Sequence, residues 1–302
     1  MEEKIIDAVC KMHYIIARDF LNELYSSGIP YAIIKGYPLE LMKSGSYTGR
    51  MINDIDILTD RIYAPKVATL LKNNGYSLPG NIHRDEYIAA ISSSHQYPVY
   101  YKYVGDFFSQ IDINFDVFWG EYQGDRFSIS SLFEDSNDLI FCDCHIKTLS
   151  PMKHLIVVIL HHYKEMNSIY HLLGHNAIKP RLFEDIKKLI ENNPHVFSPE
   201  TVKCECLSYN IVPYAYYLFY YANKYYADNC LYEYVNTLKC DEGTLLLNTY
   251  GLNDGERKTW QIDFCDRFDE NKVKESIFNQ LNEEDMFKLS YNRKIFGIKN
   301  ED

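Results

Sequence analysis

Tryptophan is almost missing from the chain, 2 residues against 27 tyrosines in 302, an imbalance that bounds nothing about function. Other scarcities exclude more. The longest nearly apolar run, Leu155 to Leu160, falls far short of the roughly 20 residues a bilayer-spanning helix needs. The opening residues, MEEKIIDAVCKMHY, are acidic at once and lack a basic stretch followed by an apolar one, so no secretory signal is visible. A cytoplasmic location is the expectation, with the 8 cysteines as reduced thiols and not a disulfide framework. Basic residues are the minority, 31 Lys and Arg against 42 Asp and Glu, net −11. That balance excludes the wholly basic surface of bulk nucleic-acid binders and makes a long RNA or DNA partner unexpected, though a local basic groove stays open. No internal repeat or low-complexity tract stands out. What remains, 46% hydrophobic and 24% charged residues, suffices for one large core or two modest ones.

The first ~120 residues alternate helix and strand. Ile5, Val9, Met12, Ile16, Phe20 and Leu24 form one helical stripe, stopped by Ser26-Ser27-Gly28 and Pro30. Tyr31 to Ile34 is a short β-prone run, followed by a helical segment Tyr37–Met42 and a loop from Lys43 to Gly49. Asp54-Ile55-Asp56-Ile57-Leu58 alternates as a strand does, and Pro65 to Asn74 predicts a helix. Tyr97–Val104 and Phe108–Phe118 flank Gly105-Asp106, a hairpin signal. Ser150-Pro151 then opens a helix to about Glu165, with further helices opened by Pro180 and Ser198-Pro199, and a tyrosine-rich one from Tyr214 to Tyr226. The expected class is α+β: a small mixed sheet flanked by helices over residues 1–148, then a mostly helical domain over 149–302.

In a strand, residues two apart share a face, so Asp54 and Asp56 project their carboxylates side by side while Ile55 and Ile57 enter a core. Carboxylates this close repel each other unless a cation lies between them, and Mg²⁺ takes oxygen ligands of this kind. Asp112, Asn114 and Asp116 share one face of the second hairpin strand. If that strand lies beside the first pair, Asp112 completes a two-metal site, with Asp116 as fallback; metals ~4 Å apart would activate an attacking group and neutralise a leaving phosphate. Upstream, Ile33-Ile34-Lys35-Gly36 puts a strand end, a cation and a glycine just ahead of a helix, a cradle for phosphate. Arg50 adds a second cation four residues before Asp54.

The run IPYAIIKGYPLELMKSGSYTGRMINDIDIL, Ile29 to Leu58, resembles the nucleotidyltransferases of the polymerase-beta-like superfamily. It is most similar to the bacterial branch described as uncharacterised nucleotidyltransferases, in which an apolar strand ends in Lys-Gly and Arg precedes Asp-x-Asp. The resemblance implies the minimal nucleotidyltransferase fold. It also implies Asp54, Asp56 and Asp112 as catalytic ligands of one or two Mg²⁺, with Lys35, Gly36, Arg50 and Arg181 on the nucleotide. The implied reaction moves a nucleoside monophosphate from a nucleoside triphosphate, ATP being the expected donor, to a hydroxyl or carboxylate of an acceptor. The acid-x-polar arrangement of the third carboxylate matches Asp112 and Asn114. More weakly, His161 or His162 and the pair Arg181 and Asp185 resemble the branch's histidine-bearing helix and its Arg…Asp helix, so the likeness spans about residues 29–190. The wider superfamily usually has Gly-Ser after its first strand; Lys-Gly stands here.

The acceptor is a small molecule, a peptide or a protein on this reading, and neither the nucleobase nor the oligomeric state is specified. Three alternatives stay open: a toxin-like transferase acting on a tRNA end, a catalytically silent nucleotide-binding or interaction module, and a zinc-dependent hydrolase using the histidines. Cys142-Asp143-Cys144-His145 lacks the C-x₂₋₄-C spacing of zinc ligands. His171 and His175 stand at i, i+4 without an HExxH glutamate. His162 shares a stripe with Leu155, Val158 and Ile159, which favours a packed core histidine. Arg181 and Asp185 at i, i+4 form, most simply, a surface ion pair worth a few tenths of a kcal/mol.

Overall fold

The computed structural model describes residues 2–45, 51–80, 95–117, 128–174 and 178–295. These residues divide into two compact units, the first reaching to Val117 and resuming up to His154, the second running from Leu155 onward.

Helix α1 (Glu2–Ser26) buries Tyr14, Ala17, Leu21 and Leu24, the i, i+3, i+7, i+10 spacing of a single helix face. Gly28, in left-handed conformation at φ 72°, turns the chain into β1 (Tyr31–Ile34), all four residues of which are buried. Helix α2 (Gly36–Ser44) follows and ends at Gly45, whose N–H donates to Leu41 O. Strand β2 (Ile55–Thr59) is buried throughout and leads to α3 (Ala64–Asn73). The hairpin β3 (Tyr100–Val104) and β4 (Phe107–Asn114) turns at Gly105, φ 60°.

A second hairpin, β5 (Asn137–Phe141) and β6 (Cys144–Thr148), is one the sequence did not announce. Its two turn residues, Cys142 and Asp143, both adopt positive φ, 53° and 59°, the backbone of a two-residue turn that matches strand twist. The six strands form one mixed sheet in the order β3-β4-β2-β1-β6-β5. β1 runs antiparallel to β2, while β2–β4 and β1–β6 are parallel. Ile33, Ile55, Ile57, Ile111, Ile113 and Ile146 line one core with α1 and α3.

Helix α4 (Pro151–Asn167) begins in the first unit and continues into the second. There follow α5 (Ile169–Gly174), α6 (Arg181–Asn192), α7 (Pro199–Ser208), α8 (Val212–Tyr226), α9 (Asn229–Leu238), α10 (Asp241–Leu246), α11 (Glu270–Phe278) and α12 (Glu283–Ile295), with the two-residue pair β7 (Thr249–Tyr250) and β8 (Lys258–Thr259) between α10 and α11. Ser198 caps α7, its hydroxyl accepting from Thr201 N–H at 3.2 Å. The tyrosines of α8 are core: Tyr216, Tyr217 and Tyr221 are buried. Tyr221 stacks on Phe264 at 4.6 Å and accepts a hydrogen bond from the buried Arg267 guanidinium at 2.9 Å. Arg267 also lies 4.9 Å from the Trp260 ring, so π faces solvate its charge. No helix among the described residues is long and apolar enough to cross a membrane. The eight cysteines, all among the described residues, form no disulfide.

Candidate functional site

The sheet puts the acidic residues where their period implies. Ile55 and Ile57 face the core, and Asp56 points the other way from the middle of the sheet. Asp56 pairs in register with Ile34 on one side and with Asp112 on the other, across the parallel β2–β4 ladder. Two carboxylates therefore occupy adjacent positions on neighbouring strands, both buried, with the half-buried Asp54 just ahead of β2.

The β4 stripe is shorter than its sequence suggests. Beyond Asn114 the backbone leaves the ladder: the N–H groups of Phe115 and Asp116 both donate to His95 O, at 2.9 and 3.2 Å. Asp112 and Asn114 thus lie in the strand, and Asp116 lies past its end. Asn114 Nδ2 donates to Asp56 Oδ1 at 3.1 Å, and Gln110 Nε2 approaches Asp112 Oδ1 at 3.5 Å.

Lys35 closes the group from the end of β1. Its Nζ lies 2.9 Å from Asp56 Oδ1. Its backbone is strained, φ 56° and ψ −148°, a conformation that L side chains rarely adopt and that costs of order 1–3 kcal/mol. Gly36 follows at φ 43°, where the absence of Cβ makes a positive φ inexpensive. Lys35 is held in place by His154, one turn into α4: the Lys35 N–H donates to His154 Nε2 at 3.0 Å. His154 is fully buried, and burial, with the nearby Lys35 charge, pushes its pKa down to about 4. It is a neutral acceptor at physiological pH.

Electrostatics follow from this crowding. Burial, then the charges of Asp56 and Asp54, hold the Asp112 carboxyl well above the usual carboxylate range, with Lys35 and the Gln110 amide opposing. For Lys35, burial disfavours the ammonium, but the charge and hydrogen bond of Asp56, with Asp54 and Asp112 behind, outweigh it and raise its pKa. The donors are oxygens only, which suits a hard cation such as Mg²⁺. The raised Asp112 pKa marks a cluster with more negative charge than its lysine neutralises, and the residues present fit such an ion. Among the described residues, however, the set of His, Cys, Asp or Glu ligand atoms gathered within 4.8 Å is His161, His162 and Glu165; the three aspartates are not drawn that close together.

Lys35, Gly36, Asp54, Asp56 and Asp112 are thus gathered at one end of β1 and the adjoining strands. Arg50 lies outside the described residues, as does His175. Arg181, exposed, opens α6 in the second unit. The surface position expected of Asp185 is not the one it takes: Asp185 is buried, its Oδ2 3.2 Å from His162 Nε2. The signal for this was present, since Asp185 sits inside the apolar stripe Leu182, Ile186, Leu189. His162 is a buried histidine, as its stripe implied. His161 Nε2 lies 3.3 Å from Glu165 Oε1; burial raises the Glu165 pKa, but His161, with His162 and His171, holds it well below the ordinary glutamate value. Sequence reasoning missed His154 and Gln110. Gln110 was discoverable, two residues from Asp112 on the same strand face.

The model of a family described as uncharacterised nucleotidyltransferases matches residues 10–227, a span that includes every residue assigned above to the sheet site. No curated protein matches the chain. Among solved structures, a similar chain is an antigenic nucleotidyltransferase-like protein from Paracoccidioides brasiliensis. It is 15% identical, with 67% of this chain and 87% of that one covered and a TM-score of 0.36, too low for any argument about the site. The family match spans well over half of the chain, and the protein belongs to the uncharacterised nucleotidyltransferases.

Proposed function

We propose that the protein is a Mg²⁺-dependent nucleotidyltransferase that moves a nucleoside monophosphate from a nucleoside triphosphate, ATP first among candidates, to a hydroxyl or carboxylate of a small-molecule, peptide or protein acceptor. The observation that carries this is the in-register pairing of Asp56 with Asp112 across two parallel strands, with Lys35 on the same carboxylate. Asp56 and Asp112, with Asp54, would hold the cation, and Asn114 would fix the orientation of the Asp56 carboxylate. When bound, the ion supplies Lewis-acid polarisation of the phosphoryl oxygens and a lowered pKa for the attacking group.

The chain's own residues do the rest. Asp112 gives up the proton that its surroundings favour, because a carboxylate ligand must be ionised. Lys35 keeps its positive charge and is the ammonium on hand to neutralise triphosphate oxygens. Gly36, at the start of α2, allows backbone N–H groups to approach a phosphate closely, at the end of the helix that favours anions. His154 accepts from the Lys35 amide and so fixes the strained turn from which both act. Arg50 and Arg181 are proposed as further contacts to the nucleotide.

The test is calorimetric titration with ATP, GTP, CTP and UTP, with and without Mg²⁺, against an Asp54→Ala/Asp56→Ala double variant. Mg²⁺-dependent binding of a triphosphate, lost in the variant, is the expected result and names the donor for an acceptor screen. Binding that ignores both the metal and the mutation would refute the assignment, as would no binding at all.

A further inference from the structure

The second unit carries a convergence of ligating side chains that the sheet site does not use. His161, His162 and Glu165 fall within one turn of α4, and their ligand atoms lie within 4.8 Å of one another. Asp185 joins them from α6, its Oδ2 3.2 Å from His162 Nε2. His162 is the telling member. It is buried, yet neither ring nitrogen makes a hydrogen bond, although Asp185 Oδ2 lies 3.2 Å from Nε2. Buried polar groups of this kind are nearly always satisfied, so a buried imidazole aimed at a carboxylate without bonding to it asks for another partner.

We propose that His161, His162, Glu165 and Asp185 bind one divalent transition-metal ion, with Zn²⁺ the best match, tying α4 to α6. Zinc takes four ligands tetrahedrally at about 2.0–2.2 Å from nitrogen and oxygen donors, which sets neighbouring donor atoms about 3.4 Å apart. The His161–Glu165 and His162–Asp185 separations, 3.3 and 3.2 Å, are each close to that value, and His162 is common to the Asp185 contact and to the His161–His162–Glu165 group. Two imidazoles and two carboxylates match the ion's charge and favour zinc over magnesium, which prefers six oxygens with several waters retained. The ligands come from two helices, α4 and α6, so the ion would cross-link a segment of the second unit much as a structural zinc does. The chemistry differs from that of the all-oxygen cluster in the sheet, and neither depends on the other.

The test uses full-length protein stripped with chelator and titrated calorimetrically with ZnCl₂, in parallel with Co²⁺ followed by its visible d–d absorption. One Zn²⁺ equivalent should bind, remain in an Asp54→Asn/Asp56→Asn variant, and weaken at least tenfold in His161→Ala and in Glu165→Gln. These two residues are about one-fifth exposed, so their substitution leaves the interior packed, and circular dichroism verifies that each variant is folded. Asp185→Asn tests the ligand from α6. Co²⁺ should show the intense band of tetrahedral coordination, and Zn²⁺ should raise the melting temperature of the wild type but of neither His161→Ala nor Glu165→Gln. The proposal fails if Zn²⁺ does not bind at micromolar concentration, if binding survives unchanged in both variants, or if it disappears with the sheet aspartates instead.

Discussion

Replacing His154 by glutamine gives a sharp test of how the sheet site is held. In the wild type, burial and the Lys35 charge lower the His154 pKa from an ordinary 6.5 to about 4. The sign follows directly. A histidine whose folded pKa is depressed lets the unfolded chain bind a proton that the folded chain refuses, so stability is fully present above pH 6.5 and is lost as pH falls towards 4. At about 1.36 kcal/mol for each pH unit, the loss amounts to about 3 kcal/mol. Glutamine removes the titration and keeps an amide oxygen that accepts from the Lys35 N–H, whereas leucine leaves that buried donor unpaired at a cost of about 1–3 kcal/mol at every pH. The assay is hydrogen exchange by mass spectrometry on peptides covering β1 and β2, in increasing urea, at pH values between 4 and 7. Peptides of the first unit are required because the chain has two units and a whole-molecule signal need not be two-state. The wild-type curve should fall by about 3 kcal/mol relative to that of His154→Gln between pH 6.5 and 4. Parallel curves for the two proteins would refute the neutral, buried assignment of His154, and with it the reading that His154 clamps Lys35.

Asn114→Ala removes the amide that bonds Asp56 Oδ1, and should lower Mg²⁺ affinity or transfer activity by about 10–100-fold with an unchanged melting temperature profile for the second unit. Because the folded state raises the Asp112 pKa, its stabilising contribution is present at low pH and lost as pH rises through that raised value. Metal-free Asp112→Asn should therefore melt above the wild type at neutral pH while losing Mg²⁺ binding; a lower melting temperature would contradict the repulsion. The same shift predicts that Mg²⁺ affinity rises with pH, measurable as proton release in calorimetry in buffers of different ionisation enthalpy. Gly251→Ala should destabilise by more than about 1 kcal/mol, since φ is +102° and an added Cβ would meet the Glu256 carbonyl oxygen at 2.7 Å; chemical denaturation reads it.

The sheet site was legible because its residues obey a period. Ile55 and Ile57, Ile111 and Ile113 declare the buried face, and the aspartates between them have only one other face to occupy. Adjacency of the two strands was a supposition, and the ladder between β2 and β4 makes it a fact. Elsewhere the signals were weak for identifiable reasons. β5 is an edge strand whose sequence, NDLIF, alternates poorly and is half exposed, and its turn uses Cys142 and Asp143 where glycine or asparagine would have flagged it. His154 contacts a backbone amide 119 positions away, a relation with no trace in local pattern. The spacing of Asp185 from Arg181 fits a surface pair, but the apolar residues around it define an inner face, and that face decides its burial.

The alternation along β2 and β4 has a consequence for assembly of the chain. Because successive residues of a strand face opposite ways, slipping either strand by a single residue would drive its aspartates into hydrocarbon and expose its isoleucines. The pairing that seals the core is the same pairing that sets Asp56 beside Asp112. A molecule mispaired at β2 or β4 would therefore lose its buried face and the Asp56–Asp112 juxtaposition together.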